Sequence, residues 1–205
     1  MKKLRIIQIG LSIGVLLCFS MANATLRYVN GGSSSEGTAA KIITAPLYAE
    51  KLRVTNFGLQ GFNEAQGVTT TQDFAMDDDE VLPAGSFVDS HMIFLNAPLG
   101  QRITHEDVRF TFGGDIIGVM SDKDGNYEAA STEELGSDTT EYEAPYSLRG
   151  MEIGVGPLEG YSISGKTLTI NMLVTSPGDW IRVVTIGTVT NTVPALPLLL
   201  LNNND

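Results

Sequence analysis

The sequence predicts an all-β fold, an antiparallel β-sandwich of the jelly-roll type preceded by a cleaved signal peptide. Many short segments alternate apolar and polar residues, and turns containing glycine or proline separate them. This alternation places one face of each segment in a core and the other in water. No segment after the first 24 residues shows a convincing helical period, so we expect no helix of substantial length.

The first 24 residues predict a secretory signal peptide. A basic start is followed by an apolar run and by an A-x-A cleavage site at Ala22–Ala24. We therefore expect export through the secretory pathway to an extracellular or cell-surface location. One β-sandwich domain is predicted over residues 25–188, followed by a C-terminal tail over residues 189–205.

Charge and cysteine content restrict the possible partners. The chain carries a net charge of −11, and removal of the signal leaves 10 basic against 24 acidic residues, a net charge of −14. Such a charge repels nucleic acid and anionic lipid surfaces, which favours extracellular polysaccharides, surface proteins or cations as partners. The only cysteine, Cys18, lies in the signal, so stability is expected to depend on the core or on a metal.

Five segments before residue 151 give element predictions. Lys41–Thr55 has mixed signals that fit either a helix or two strands, and the threonine-rich Val68–Gln72 predicts a strand. Ser86–Asn96 is apolar on both faces, which is typical of a central strand buried on both sides. Glu106–Phe112 alternates strictly and predicts a strand with one buried face. Ser121–Gly150 is polar and irregular. A stretch of about 30 residues without obvious strands is long for a compact domain, and such stretches are often functional or mobile.

The clearest local pattern covers residues 161–184. Apolar and polar residues alternate from Leu168 to Val174, and Gly165-Lys166 supplies a two-residue turn, so a hairpin is predicted. Ser176–Asp179 predicts a second turn, followed by a strand over Trp180–Val184. We expect the three strands to pair in sequence order as a β-meander.

An acidic loop is the sharpest candidate for a metal site. Oxygen-bearing side chains recur with a spacing that resembles a calcium loop, because Ca²⁺ prefers six to eight oxygen ligands at short range. The candidate ligands are Asp122, Asp124, Asn126, Glu128 and Glu133. The glycine of this segment stands at the fourth position instead of the sixth, and D-x-D-G-N is also an ordinary turn sequence. Calcium is therefore the candidate cofactor, with a simple turn as the alternative.

Three tyrosines near this loop are candidate ligand-binding residues. Tyr127, Tyr142 and Tyr146 could stack on sugar rings, so a calcium-dependent carbohydrate-binding module is one functional hypothesis. The run Asp77–Glu80 is typical of a solvated loop, since four consecutive side chains cannot converge on one ion.

Catalytic motifs are absent from the sequence. It contains no G-x-S-x-G, phosphate-binding loop or H-E-x-x-H pattern, and the two histidines do not have zinc-ligand spacing. We therefore predict no catalytic residues and no enzymatic activity. A secreted hydrolase with dispersed carboxylates is the less favoured alternative, because folding can bring distant acids together.

Several phrases resemble exported bacterial β-sandwich proteins of the choice-of-anchor kind, which commonly end in a PEP-CTERM-type sorting tail. The phrases are GFNEAQGV at 61–68, AGSFVDSHMIFLN at 84–96, FGGDIIGVMSD at 112–122, and SISGKTLTI with SPGDWIRVVT at 162–185. The resemblance implies a surface or matrix protein without assigned catalytic residues. The tail departs from the family pattern, because Val193–Pro197 lacks Pro-Glu-Pro and the apolar run is too short to span a bilayer.

The sequence as a whole predicts an exported, non-enzymatic β-sandwich protein of the cell surface or extracellular matrix. No stable transmembrane span is expected once the signal is removed. The tail is interpreted either as a degenerate or truncated sorting signal or as the end of a released protein.

Overall fold

The computed structural model describes residues 25–49, 55–154, 158–175 and 178–187, which form an all-β fold with one short helix. The strands are β1 (Leu26–Asn30), β2 (Ser33–Ser34), β3 (Lys41–Ile42), β4 (Gln60–Asn63), β5 (Val68–Thr69), β6 (Phe74–Ala75), β7 (Val81–Leu82), β8 (Phe87–Leu95), β9 (Ile103–Phe112), β10 (Ile116–Met120), β11 (Gly160–Ser164), β12 (Thr167–Val174) and β13 (Asp179–Ile186). The helix α1 spans Asn126–Leu135, and a 3₁₀ turn spans Asp77–Asp79. The predicted signal peptide and C-terminal tail lie outside the described residues.

Two packed sheets confirm the predicted β-sandwich. The first sheet has the strand order β1-β9-β12-β11, with β2 also paired to β9. The second has the order β10-β13-β8-β4-β3, with β5 also paired to β8. Among the described strands the pairing is antiparallel, apart from β3 with β4. A separate two-stranded ribbon consists of β6 and β7.

The predicted hairpin is confirmed, but the predicted meander is wrong. Ser164 pairs with Thr167 across the turn, and Gly165 has a φ of 57°, which glycine adopts without strain. However, β13 pairs with β8 and β10 in the second sheet and not with β12. The apolar faces of β12 and β13 meet across the main core, where Ile170 and Ile181 belong to one cluster. A period of two identifies the buried face of a strand, and it does not identify the strand's hydrogen-bonded neighbour.

The central strand β8 is buried on both faces, as its sequence predicts. Ile93 and Leu95 belong to the main core between the sheets. Met92 and Phe94 point to the opposite side and pack with Trp180 in a second apolar cluster. The second sheet therefore has a further layer on its outer face.

That layer consists of α1, the β6–β7 ribbon and the residues that follow the helix. Leu135 of α1 packs with Phe74, Leu82 and Val184. The expectation of no helix after the signal is thus wrong at residues 126–135. No helix among the described residues is long and apolar enough to cross a membrane.

Candidate metal centre

The carboxylate of Asp122 stabilises the start of α1. Its Oδ2 accepts the backbone N–H of Asn126 at 2.9 Å, and its Oδ1 accepts that of Tyr127 at 2.7 Å. These N–H groups have no partner within the helix, and an acidic group favours the positive end of the helix dipole. Asp122 therefore has a structural role in the segment predicted to be a calcium loop.

The structure does not bring the five predicted calcium ligands together. Asp124, Asn126 and Glu133 are exposed, whereas Glu128 is buried. Glu128 and Glu133 lie on one helix, where five residues correspond to a rotation of about 140°. In an extended loop, ligands at alternate positions can point toward one ion. Because residues 126–135 form a helix instead, the side chains of Glu128 and Glu133 point to different sides.

Glu128 belongs to a buried charge network together with Glu64, Arg149 and Arg182. Arg182 Nε lies 2.8 Å from Glu64 Oε2, and its Nη2 lies 2.9 Å from Glu64 Oε1, with both side chains 0% exposed. Burial lowers the pKa of Arg182, but the charges of Glu64 and Glu128 outweigh this and raise it overall. The guanidinium remains charged and joins β13 to the loop after β4 and to α1.

The second pair of the network is Arg149 with Glu128. Arg149 Nη2 lies 2.9 Å from Glu128 Oε2, and the guanidinium lies 4.2 Å from the centre of the Trp180 ring. Burial raises the pKa of Glu128, while the charges of Arg182 and Arg149 oppose this shift. Each buried glutamate in the network has a buried arginine beside it.

The three predicted ligand-binding tyrosines have different surroundings. The Tyr142 hydroxyl donates to Glu64 Oε1 at 2.7 Å, and burial followed by the charge of Glu64 raises its pKa. The Tyr146 ring lies 5.8 Å from the Arg149 guanidinium, and burial raises the pKa of its hydroxyl. Tyr127 is half-buried and lines a surface cleft. Of the three tyrosines, Tyr127 lines the cleft that is described below.

Three other carboxylates, Glu152, Glu159 and Asp179, form a cluster that we call the acidic triad. One carboxylate oxygen from each lies within 4.8 Å of the others. Asp179 is only 4% exposed. Asp179 Oδ2 and Glu152 Oε1 are buried without a hydrogen-bond partner, whereas Glu159 Oε2 accepts the backbone N–H of Glu152 at 2.7 Å. Buried carboxylate oxygens without a partner are rare, since desolvation is costly.

The acidic triad lies at one end of the sandwich. Asp179 is the first residue of β13, and the two-residue period places its side chain on the same side as Ile181, toward the first sheet. Glu159 immediately precedes β11, and Glu152 follows the segment that carries Arg149. A cavity of about 40 Å³ lies beside the triad. This space admits an ion or a water molecule.

The electrostatics of the triad disfavour three negative charges. Burial raises the pKa of Asp179 well above its usual range, and the charges of Glu159 and Glu152 add to this effect. Burial and the charge of Glu159 raise the pKa of Glu152 to about 7, although Lys123 opposes the shift. A positive ion among these oxygens would remove the repulsion. The acidic triad could therefore hold a metal ion.

A cleft of about 420 Å³ adjoins the triad. Asp77 lines this cleft, and its Oδ2 accepts hydrogen bonds from the hydroxyls of Ser121 at 2.6 Å and Tyr161 at 2.8 Å. Glu152 lines both this cleft and the cavity beside the triad. The cleft is lined by Asp77, Asp78, Asp79, Ser121, Asp122, Lys123, Tyr127, Met151, Glu152 and Ile153.

Sequence reasoning missed the acidic triad because its members do not form a motif. Glu152 and Glu159 lie in a glycine-spaced connection, and Asp179 belongs to a segment that predicts a turn. Two of them share a position near a predicted strand: Asp179 directly precedes the strand predicted over Trp180–Val184, and Glu159 lies two residues before the pattern that starts at residue 161. That signal becomes informative only when the two strands are known to start at the same end of the sandwich.

Comparison with known proteins gives no further identification. No family model, curated protein or solved structure matches the chain significantly. The assignment to exported choice-of-anchor proteins thus stays a prediction from the sequence.

Proposed function

We propose that this chain is an exported β-sandwich protein without enzymatic activity that acts at the cell surface or in the extracellular matrix, with Ca²⁺ bound at the acidic triad. The observation that carries the proposal is the convergence of three carboxylates with two buried oxygens that have no hydrogen-bond partner. An exported chain without a cysteine after its signal needs another means of stabilisation, and a bound ion supplies it.

The donor set favours calcium over other metals. All three side chains offer carboxylate oxygen, which suits hard cations, and neither histidine belongs to the group. Glu152 and Glu159 are half-buried, so part of the coordination shell is open to water. Calcium tolerates such irregular shells of six to eight oxygens, whereas Mg²⁺ requires a nearly ideal octahedron.

The buried charge network supports a non-enzymatic role. The side chains of Glu64, Glu128, Arg149 and Arg182 are 0–2% exposed, so a substrate cannot reach them. These four groups neutralise one another and hold α1 against the second sheet. Their arrangement is that of a structural core and not of an accessible catalytic pair.

Calcium titration followed by calorimetry tests the proposal directly. The purified protein is expected to bind one ion with a Kd of about 10⁻⁴–10⁻³ M, the range of extracellular modules. D179N and E152Q should abolish binding, because each removes a triad carboxylate. D124N is the matched control, since Asp124 is exposed in the segment predicted to be a calcium loop. Loss of binding in D124N with retention in D179N would contradict the assignment.

A calcium-dependent carbohydrate-binding module is the second candidate. The specific observation in its favour is the cleft beside the triad, which shares Glu152 with it and has the Tyr127 ring in its wall. Carboxylates that accept from sugar hydroxyls and a ring that contacts a sugar face are common in such sites. A glycan array read in calcium and in chelator tests this hypothesis. Binding that requires calcium and disappears in Y127A and D179N would support it, and an array without signal would reject it.

A further inference from the structure

We infer that the cation in the acidic triad acts as a cross-link between the two sheets, so that the stability of this end of the sandwich depends on external calcium. The inference rests on the proposed function, because it requires the triad to bind an ion. It goes further in stating what the ion does: occupancy at the triad controls the pairing of β13 with the segment that carries Arg149.

The positions of the donors support a cross-link. Asp179 lies on β13 of the second sheet, and Glu159 precedes the edge strand β11 of the first sheet. No β-ladder joins the two sheets among the described strands, and their main contact is apolar packing. Side-chain hydrogen bonds, such as that from the Leu26 N–H of β1 to Asn63 Oδ1 of β4 at 2.7 Å, link the sheets elsewhere. An ion bound by both carboxylates would add a directional bond between the sheets beside the apolar core.

Charge explains why the empty site is unfavourable. Within the described part of the chain, none of the three triad carboxylates forms a salt bridge, and Lys123 influences Glu152 only at longer range. Asp179 is buried and the other two carboxylates are half-buried, so like charges on the three groups repel more strongly than they would in water. Without an ion, and wherever the carboxylates are ionised, this repulsion acts to separate β13 from the connection that contains Glu152 and Glu159.

The backbone connects the triad to the buried charge network. The backbone N–H of Trp180 donates to the carbonyl oxygen of Arg149 at 3.0 Å, and the backbone N–H of Met151 donates to the carbonyl oxygen of Ser121 at 3.0 Å. Residues 149–152 therefore lie between β13 and the loop before α1. Separation at Glu152 or Asp179 would disturb the hydrogen bond from Trp180 and, with it, the position of the Arg149 guanidinium.

The calcium affinity expected for such a site makes the cross-link depend on whether the protein is inside or outside the cell. Extracellular modules bind calcium at about 10⁻⁴–10⁻³ M, whereas intracellular sensors respond at about 10⁻⁷–10⁻⁵ M. The triad would thus be empty in the cytoplasm and filled outside the cell. At a calcium concentration ten times the Kd, binding shifts the unfolding equilibrium by about tenfold.

Hydrogen exchange of the purified protein, in calcium and in chelator, tests the inference. We expect calcium to slow exchange about tenfold at the amides of residues 149–152 and 179–181. The amide of Val29 in β1 serves as an internal reference, because it lies at the opposite end of the first sheet. D179N should remove the calcium response, and D124N should keep it. E152Q provides a second variant with a half-buried side chain, in case D179N does not fold.

Terbium binding, measured on the same samples, separates the two possible failures. Trp180 is the only tryptophan and adjoins Asp179, so it should sensitise the luminescence of Tb³⁺ bound at the triad. Sensitised luminescence that calcium displaces, together with unchanged exchange at residues 149–152, would reject the cross-link and leave the proposed function intact. No luminescence and no calorimetric signal would reject both. Slowed exchange in the wild type and in D124N, but not in D179N or E152Q, supports the cross-link.

Discussion

Replacement of Arg182 by methionine should strongly destabilise the fold. Arg182 binds Glu64 through two hydrogen bonds of 2.8 and 2.9 Å, and both side chains are fully buried. In R182M, Glu64 keeps the hydroxyls of Ser90 at 2.8 Å and Tyr142 at 2.7 Å, but it loses its positive neighbour. A hydroxyl offsets only part of the desolvation of a buried carboxylate.

The expected loss of unfolding free energy follows from the burial of Arg182 and from the number of hydrogen bonds that the substitution removes. Removal of one partner from a buried ion pair costs about 3–5 kcal/mol. Arg182 also donates to Ser131 Oγ at 2.6 Å and lies 3.6 Å from a Glu128 oxygen, which places the expected loss in the upper part of that range. For a domain of this size, a loss of about 4 kcal/mol lowers the Tm by roughly 8–16 °C.

Urea unfolding followed by Trp180 fluorescence measures this loss. R109M is the matched control, because Arg109 is exposed on β9, and its free energy of unfolding should stay within about 0.5 kcal/mol of the wild type. The double variant E64Q/R182M should recover part of the loss, since it removes the unpaired charge. If R182M were as stable as R109M, the network would not be the buried structural element that we describe.

Three further predictions test neighbouring parts of the structure. Y142F removes a hydrogen bond to buried Glu64 and should lower the free energy of unfolding by about 1–3 kcal/mol in urea, with Y127F unaffected. G150A should lower the Tm severely, because a Cβ at Gly150 would meet the Asp122 carbonyl oxygen at a distance that no relaxed structure allows; a Tm like that of the wild type would contradict this close approach. In chelator, the folded state holds the proton of Glu152 up to a pKa of about 7, whereas the unfolded state releases it near 4.5. Stability should therefore fall as the pH rises from about 4.5 to 7, and melts across this range in chelator and in E152Q check the sign.

The sequence predicts the strands of the sandwich better than their neighbours. The alternation in β12 predicts one buried face, and the apolar pattern of β8 predicts two. The structure confirms both predictions. The pairing of β13 with β8 could not be predicted, because residues 179–186 pair across a separation of more than 80 positions. Such a contact depends on how all the strands pack together and not on any local pattern.

The helix α1 escapes prediction because its buried face is polar. Its buried residues are Glu128, Ser131 and Leu135, so the recurring side chains are not apolar and no hydrophobic period is visible. Glu128 can be buried there only because Arg149 and Arg182 approach it from other elements. A residue typical of a solvated surface thus becomes part of the core through partners that lie far away in the sequence.

The two groups of buried carboxylates differ in how their charge is balanced, and this difference is the strongest argument for a cation. Glu64 and Glu128 each lie beside an arginine that is itself buried, so the network is neutral without any ion. The acidic triad has no such partner among the described residues, although Asp179 is buried as deeply as Glu64. Only two residues separate Arg149 of the network from Glu152 of the triad. An arginine lies beside each glutamate of the network but, among the described residues, beside no carboxylate of the triad, so the triad could hold a metal ion where the network needs none.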